Sequence, residues 1–515
     1  MKCLFYLLCF SFLTTSILAQ PSIEWQKALG GSEIEEIFST QQTSDGGYIA
    51  AGFTYSNDGD VTGFHGGIDA WVVKFSSTGS VEWKKTYGGT NVDWAYAIRQ
   101  TIDGGYILAG YTASNNGDVT GNHGGKDAWV VKLTSLGAIQ WQKTLGGSGW
   151  DEAWAIQQTT DSGYIMVGRS ASQNGNVTGN HGGLDYWVVK LSNIGVIEWQ
   201  KSLGGTGEDN AYSVKQTNDG GYIVAGESLS HNGDVTGNHG DADYWILKLS
   251  TTGSLEWQKS FGGSSIDRAN DVIQTNDGGY IVVGQVFSNN GDVAQHYGGN
   301  DIWVVKTTST GEIEWQKTLG GSDQDWGQSI QKTSDGGYVI AGSTWSHDGD
   351  VLNTNSIADI WVVKLNVDGV IKWQKTLGGS LGEDGYSIYQ TTDNGYIVAG
   401  SAFSNDGDVT GHHAKSDFWI VKLSPASVGT EEIPDGINAP LEIYPNPAHN
   451  SISLKTSTEE PSLSVSIIDI LGREISRQTI QNGESLDIAS IPSGLYLVLA
   501  TAPSGRSFAG KLRKE

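Results

Sequence analysis

Residues 93–145 read DWAYAIRQTIDGGYILAGYTASNNGDVTGNHGGKDAWVVKLTSLGAIQWQKTL. Four short runs stand out in this stretch. Ala95–Thr101 alternates apolar and polar residues, and Gly105–Thr112 is apolar and rich in β-formers. Ala128–Leu133 follows a long polar loop, and Ala138–Leu145 closes the unit. Runs of this length, carrying Val, Ile, Tyr and Trp between turn residues, read as strands. No stretch sustains a helical period. The segment IDGGY (Ile102–Tyr106) joins the first two runs and suits a hairpin with one residue at positive φ.

The unit recurs. Asp-x-Trp places tryptophans at 71, 129, 187, 245, 303, 361 and 419, each 58 residues after the last. A second set, in EWQK-like segments, stands at 25, 83, 141, 199, 257, 315 and 373 with the same step. Seven copies of four antiparallel strands predict an all-β fold, a seven-bladed β-propeller, in which radial repetition leaves only short, protected edges. The termini complement each other. The chain opens on a lone fourth strand, Ser22–Leu29, and its repeats end after a third strand, Phe418–Leu423, so the N-terminal strand is expected to complete the last blade and close the ring. The second glycine of the hairpin turn is present in every copy. The first is replaced by Ser162 and Asn394 in two of them, and Asn tolerates the left-handed region best.

A chain of 515 residues has room for more than one domain. Its net charge of -26 disfavours nucleic acid, whose phosphates call for Lys and Arg, and disfavours an anionic membrane surface for the same reason. Only 17% of residues are charged and there are 19 tryptophans, which is unlike a disordered chain. Glycine this frequent (72 residues) without a three-residue period means many tight turns. Residues 1–19 read as a secretory signal: one lysine, an apolar run, then small residues ending at Ala19. Both cysteines, Cys3 and Cys9, lie inside it, so the mature chain is expected to have no disulfide, thiol nucleophile or cysteine metal site. No later segment is long and apolar enough to read as a transmembrane span.

In such a blade the loop between strands two and three and the loop between blades share one face, and function usually sits on loops held by a rigid scaffold. Asp69 and its equivalents recur in every copy. A requirement shared by all seven copies reads as backbone capping at the loop-to-strand junction, since a ligand seldom has sevenfold symmetry. His65, His123, His181, His239 and His413 share a position, with Tyr297 and Asn355 in the other copies. One imidazole per blade is spread round a ring and reads as loop packing. The Asn/Asp-Gly-Asp stretches, with Asp58, Asp60 and Asp118, are oxygen-rich in the manner of calcium sites but lack the twelve-residue spacing, and Asx turns need no ion. No other cofactor is expected. No nucleophile elbow, phosphate loop or HExxH occurs. Fourteen tryptophans belong to the two repeating sets and five do not: Trp94, Trp150, Trp154, Trp326 and Trp345. Trp94, Trp150 and Trp326 are expected in loops between blades, Trp154 at the start of an inner strand and Trp345 at the end of a second strand. All five fall on or near the loop-rich face and form the candidate ligand-binding cluster, either for a glycan or a protein anchor or as fillers of gaps between particular blades.

After Leu423 the composition changes. Residues 424–440 hold three of the nine prolines and read as a linker, leaving 20–423 for the propeller and 441–515 for a small immunoglobulin-like β-sandwich of short, regularly spaced strands. Tyr444-Pro445-Asn446-Pro447, Leu471-Gly472-Arg473, Ser493-Gly494-Leu495-Tyr496 and Gly510-Lys511-Leu512-Arg513-Lys514 resemble the motifs of the type A C-terminal sorting domain of the type IX secretion system. That resemblance implies a sorting signal carried by Pro445, Asn446, Pro447, Gly494, Tyr496, Lys511 and Lys514. It also implies engagement of the type IX machinery and passage by the Sec route and then across the outer membrane of a Bacteroidota-type Gram-negative cell, followed by release or attachment to surface lipopolysaccharide. The repeats are similar to uncharacterised bacterial propeller repeats with a DGGYIVAG core, a likeness that implies the fold and carries no known activity.

The sequence therefore points to a secreted or cell-surface binding protein whose loop-rich face takes a glycan or a protein. Its rivals are an extracellular glycan hydrolase or lyase working with paired carboxylates, and a purely structural surface protein. Near-identical blades weigh against an active site, because only scattered acids such as Glu152, Glu208 and Asp384 break the symmetry.

Overall fold

The computed structural model describes residues 20–352, 354, 357–426, 437–456, 460–469, 474–481, 484–504 and 506–514. The signal segment, most of the linker, Asn355 and the Leu471-Gly472-Arg473 motif lie outside the described residues. Pro21–Pro425 form one compact unit, and the residues from Ala426 onward belong to a second.

The first unit is a seven-bladed β-propeller. Its chain starts with β1 (Ile23–Leu29) and then builds blade one from β2 (Glu35–Gln42), β3 (Tyr48–Thr54), β4 (Asp69–Phe75) and β5 (Val81–Tyr87), paired in that order and antiparallel. Five more blades repeat the arrangement at 93–145, 151–203, 209–261, 267–319 and 325–377. The seventh has only three strands of its own, within 383–423. β1 supplies the fourth by pairing antiparallel with Asp417–Leu423, from Trp25↔Lys422 to Leu29↔Phe418.

Each strand pattern has a packing cause. The Asp-x-Trp tryptophans are fully buried in all seven blades. The indole N–H of Trp129, Trp187, Trp245, Trp303 and Trp361 donates to the Gln of the adjacent EWQK strand, at 2.7–3.0 Å. Trp419 donates to Gln26 of β1 at 2.8 Å, so the closing strand reproduces the same pairing. Blade one has Lys84 in place of that Gln, and the Trp71 indole N–H is buried without an acceptor. The lysine three residues after each of these tryptophans is also buried, and it ion-pairs with the aspartate of the hairpin turn, as in Lys74–Asp45 at 3.0 Å and Lys132–Asp103 at 2.9 Å. Burial works the other way, but the Thr43 hydroxyl, the Gly47 amide and the Lys74 ammonium together hold the Asp45 carboxyl at about 2. The turn takes positive φ as expected. Gly46 and Gly104 sit at 81° and 79°, and the two substitutes, Ser162 and Asn394, are forced to 69° and 65°.

Apolar cores lie between blades. Ala51 and Val72 of blade one, for example, pack with Ile98, Leu108 and Trp129 of blade two. The ring is completed by a core joining Ile37, Tyr48 and Trp71 of blade one to Ile397, Ala399, Phe418 and Ile420 of blade seven. The first strand of each blade is innermost, and neighbouring inner strands touch around the axis: the Thr40 amide donates to Ser387 Oγ at 3.1 Å, and the Ile98 amide to Ser39 Oγ at 3.2 Å. Each inner strand carries one β-bulge against its partner. The bulge skips Phe38, Tyr96, Trp154, Tyr212, Asn270, Gln328 and Tyr386 in blades one to seven. An unpaired bulge residue re-aims its side chain, and here this produces a collar around the axis.

In the second unit, Ile437–Tyr444 changes partners along its length. Ile437 to Pro440 run parallel to Ser507–Lys514, whereas Leu441 to Tyr444 run antiparallel to Ser451–Thr456. Side chains from both sides of that switch, including Ile452 and Leu486 with Val465, Ile467, Val498, Phe508 and Leu512, share one core. This is a small β-sandwich.

Candidate functional site

The two loop types do share a face. The between-blade loop before blade two is held by the long loop of that blade: the Thr90 amide donates to Asn116 Oδ1 and the Asn91 amide to Ser114 Oγ, both at 2.9 Å. Much of what looked like chemistry there is scaffold. Asp69 Oδ2 accepts the His65 amide and faces His65 Nδ1, each at 2.8 Å, and the same clasp recurs at His123–Asp127, His181–Asp185, His239–Asp243 and His413–Asp417. The far ring nitrogen lies 3.7–3.9 Å from an aspartate of the next blade in four of these, as in His65–Asp118 and His413–Asp60. Burial pushes the Asp69 and Asp185 carboxyls up to about 6 against the hydrogen bonds that favour ionisation. A second set of buried acids went unnoticed in the sequence: Glu35, Asp93, Asp151, Asp209, Asp267, Asp325 and Glu383 open the inner strands. Asp93 accepts the Gly89 amide and the Ser114 hydroxyl at 2.7 Å, pinning the between-blade loop.

The oxygen-rich stretches are likewise occupied by the fold. Asp58 Oδ1 accepts the Ser32 amide at 2.8 Å, Asp60 pairs with Lys84 at 2.7 Å, and Asp118 Oδ2 accepts the Gly88 amide at 3.4 Å. Among the described residues no three His, Asp or Glu side chains come together in a metal-holding group.

The five non-repeating tryptophans separate. Trp94 and Trp326 belong to inner strands (Asp93–Gln100 and Asp325–Lys332), not to loops between blades; the acid that begins each inner strand is already paired, two residues before the apolar pattern starts. Trp94 stacks on Phe53 at 4.2 Å and lies against Phe38, Tyr96 and Tyr111. Trp154 is the bulge residue of blade three. It stacks on Tyr212 at 4.4 Å and 6°, with the Arg169 guanidinium 4.7 Å from its centroid. Tyr96 links Trp94 to Trp154. The five rings Tyr386, Phe38, Tyr96, Trp154 and Tyr212 therefore make a continuous aromatic arc over blades seven to four, and Asn270 and Gln328 complete the collar. Trp326 packs on Trp345 at 4.8 Å in blade six. Trp150 stands apart at 56% exposure, with the Lys126 ammonium 5.1 Å from its ring.

A polar network runs beside the arc. Glu152 pairs with Lys126 at 3.5 Å and with Arg169 at 3.0 Å. Arg169 reaches Asn210 at 3.3 Å, and Asn210 and Tyr212 both donate to Glu227, which pairs with Arg268 at 2.8 Å. Across the axis, Glu36 is raised to about 7 by burial and by the Asp384 carboxylate, and Asp384 is itself raised by burial.

One pattern unites these groups. At most positions the seven blades are near-copies, but some differ from blade to blade, and four of these surround the channel mouth. They are the second residue of the inner strand (Glu36, Trp94, Glu152, Asn210, Arg268, Trp326, Asp384), the bulge, the residue opposite that second residue (Phe53, Tyr111, Arg169, Glu227, Gln285, Ser343, Ser401), and the residue just after strand two. The last reads Tyr55, Ala113, Ala171, Leu229, Phe287, Trp345, Phe403. Tyr55, Leu229, Phe287 and Phe403 are exposed, and the half-buried Trp345 stands between them in blade six, so four of five consecutive blades, four to one, present an exposed apolar side chain there. Superposing the seven copies in the sequence would have revealed these positions; the bulge and its direction would not have been visible.

The second unit gathers its motif residues. Asn446 donates to the Lys511 carbonyl at 2.6 Å and accepts the Arg513 amide at 2.8 Å, and the Ala448 amide donates to the Arg513 carbonyl. The Tyr444–Pro447 turn is thus docked on the C-terminal strand, next to Pro445 and Pro447. Gly494 pairs with Lys514 and Tyr496 with Leu512 on that same strand, and the Tyr496 hydroxyl donates to the Pro492 carbonyl at 2.7 Å.

Residues 442–512 match the secretion system C-terminal sorting domain. The tail is thus a type IX sorting signal, which marks the chain for export to the cell surface or the medium and implies engagement of the secretion machinery. No curated protein matches the chain. Solved structures similar to it include BamB from Moraxella catarrhalis, at 12% identity over 76% of this chain and 99% of that one with a TM-score of 0.36. Sqt1 from Chaetomium thermophilum is similar at 11% identity over 78% and 100%, with a TM-score of 0.39. No helix among the described residues is long and apolar enough to cross a membrane.

Proposed function

We propose that the exported chain is a binding protein and that the loop-rich face of its propeller docks a protein partner around the channel mouth. The observation that carries this reading is that four positions round that mouth differ from blade to blade and are filled largely with big apolar and charged side chains. Architecture demands the same residue in every blade, as at Asp69 or Trp71, so positions released from sevenfold identity yet filled with large apolar and charged side chains answer to something asymmetric. Exposed apolar patches rimmed by polar groups mark interaction sites, and aromatic and Arg side chains dominate such contacts. The apolar run Leu229, Phe287, Trp345, Phe403, Tyr55 and the adjoining Arg169–Glu227–Arg268 network have that composition. The signal segment 1–19 supplies the Sec step of this route.

A glycan is the second reading, favoured by Trp150, whose ring is open to solvent beside Lys126 and the Glu152 network. Binding of the mature protein to arrayed outer-membrane proteins, secreted proteins and glycans separates the readings. A protein signal lost in a Tyr55→Ser/Phe287→Ser/Phe403→Ser variant supports the first. A glycan signal lost on Trp150→Ala moves the function to the second. Signals that both variants retain would remove the loop face from consideration.

A further inference from the structure

We infer that the propeller axis holds a binding site for a small oxyanion (a carboxylate, sulfate or phosphate group), built around Arg99. The chain encloses a cavity of about 170 Å³ there, lined by inner-strand residues of six blades, which places it on the axis. Its lining residues follow the bulge by up to three positions, so at roughly 3.3 Å per strand residue it lies within about 10 Å of the aromatic collar, toward the hairpin turns.

The cavity has donors in excess. The Arg99 Nη1 donates to Ser39 Oγ and to the Ile98 carbonyl, both at 2.7 Å, whereas Nε and Nη2 have no acceptor among the described residues, and no carboxylate there lies within ion-pair distance. Ser387 Oγ accepts the Thr40 amide at 3.1 Å and Ser329 Oγ the Ile388 amide at 3.5 Å, which leaves both hydroxyl protons to donate elsewhere. Gln41 and Gln157 use their Oε1 atoms to accept the Gln100 and Gln216 amides, at 2.9 and 3.0 Å, so their NH₂ groups are also unclaimed. Arg99, Ser387, Ser329, Gln41 and Gln157 all line the same cavity.

The nearby charges do not cancel. Lys215 also lines the cavity and is matched by Asp271 at 3.0 Å, which additionally accepts the Ser213 hydroxyl and the Val272 and Ile330 amides. That carboxylate is fully used, and Arg99 is left over. Burial pulls the Arg99 guanidinium below its usual range, against the pull of Asp271 and Tyr389, but a guanidinium stays charged in proteins. Of the other six blades, five carry Gln41, Gln157, Ile273, Gln331 and Tyr389 at this position and only one a cation, the matched Lys215, so the blade itself does not require the charge. A planar fork with two free N–H groups, flanked by hydroxyl and amide donors, matches an oxyanion in bidentate fashion.

The test uses the full mature protein with sodium sulfate, phosphate and acetate as probes, at ionic strength held constant with sodium chloride. The wild type is expected to show a saturable upward shift of its unfolding midpoint with at least one of them. Arg99→Gln is expected to lose that shift while remaining folded, since it removes an unmatched, partly buried charge. Crystals of the wild type soaked in selenate are expected to show anomalous density beside Arg99, a readout independent of the variant's folding. No probe-dependent shift in the wild type, a shift that Arg99→Gln retains, or selenate absent from the axis would each overturn the proposal.

Discussion

Replacing Lys84 by Gln should stabilise the propeller, because blade one lacks an internal hydrogen bond that the other six possess. In blade two, Gln142 accepts from the Trp129 indole at 3.0 Å and donates to the Thr120 carbonyl at 3.1 Å. In blade one the corresponding residue is Lys84, which turns to Asp60, and the Trp71 indole N–H is buried without a partner. Leaving a buried donor unsatisfied costs about 1–3 kcal/mol, and the restored bond is worth about 1 kcal/mol net. The change forfeits the Lys84–Asp60 pair, whose side chains are roughly a quarter exposed, and pairs of that kind contribute about 0–1 kcal/mol. The expected balance is a gain of about 1 kcal/mol, with the reverse swap, Gln142→Lys, losing a similar amount or more. Urea unfolding of the mature protein, followed by tryptophan fluorescence, reads both. If Lys84→Gln is neutral or destabilising while Gln142→Lys costs nothing, the indole–glutamine bond does not hold the blades as argued.

Other consequences can be checked on the same protein. Ser162→Gly relieves a left-handed non-glycine residue and should raise stability by about 1 kcal/mol in the same urea assay; no change would mean that the φ of 69° is not strained. Removing residues 20–29 strips the last blade of β1, exposes the edge of Asp417–Leu423 and orphans the Trp419 indole, so it should abolish the cooperative transition and produce aggregates on size exclusion. Stability should peak in mildly acidic solution. The turn aspartates Asp45, Asp103, Asp161, Asp219 and Asp277 are held at about 2, so their contribution is present above the ordinary carboxylate range and is lost as pH falls toward 2. Asp69, Asp185 and Asp325, raised to about 6, act oppositely: their contribution is full below the ordinary range and is lost as pH rises through 6. A flat pH profile of the urea midpoint between 3 and 8 would contradict both assignments. Asn446→Ala should release the Tyr444–Pro447 turn from the C-terminal strand and leave the chain in the periplasm with its propeller folded; undiminished export, read by immunoblot of the medium and cell surface, would show that this docking is not part of the signal.

The architecture was legible because it is repeated. A 58-residue step, alternating strands and a lone fourth strand at the N-terminus lead to seven four-stranded sheets and to β1 beside Asp417–Leu423. The clasp at Asp69 was legible for the same reason, and so were the motifs that the sorting tail folds onto one strand. The site was less so. Trp94 and Trp326 read as loop residues because an acid precedes them, yet that acid is buried as the first paired residue of the inner strand. The collar depends on a bulge after Ile37, Ala95 and their equivalents, and a bulge is set by how a strand pairs with its neighbour, so it leaves no mark in a single strand's pattern. The Arg99 cavity exists only where six inner strands converge, residues up to 349 positions apart in the chain from Thr40 to Tyr389.

The face assignment is tested most directly by hydrogen–deuterium exchange of the mature protein with and without the molecule it captures from the arrays. Protection confined to the between-blade loops and to the segments after strand two, around Tyr55, Phe287, Trp345 and Phe403, is the predicted result. Protection of the hairpin turns on the opposite face, such as Thr43–Gly47 and Thr101–Gly105, with the loop face unchanged, would contradict it.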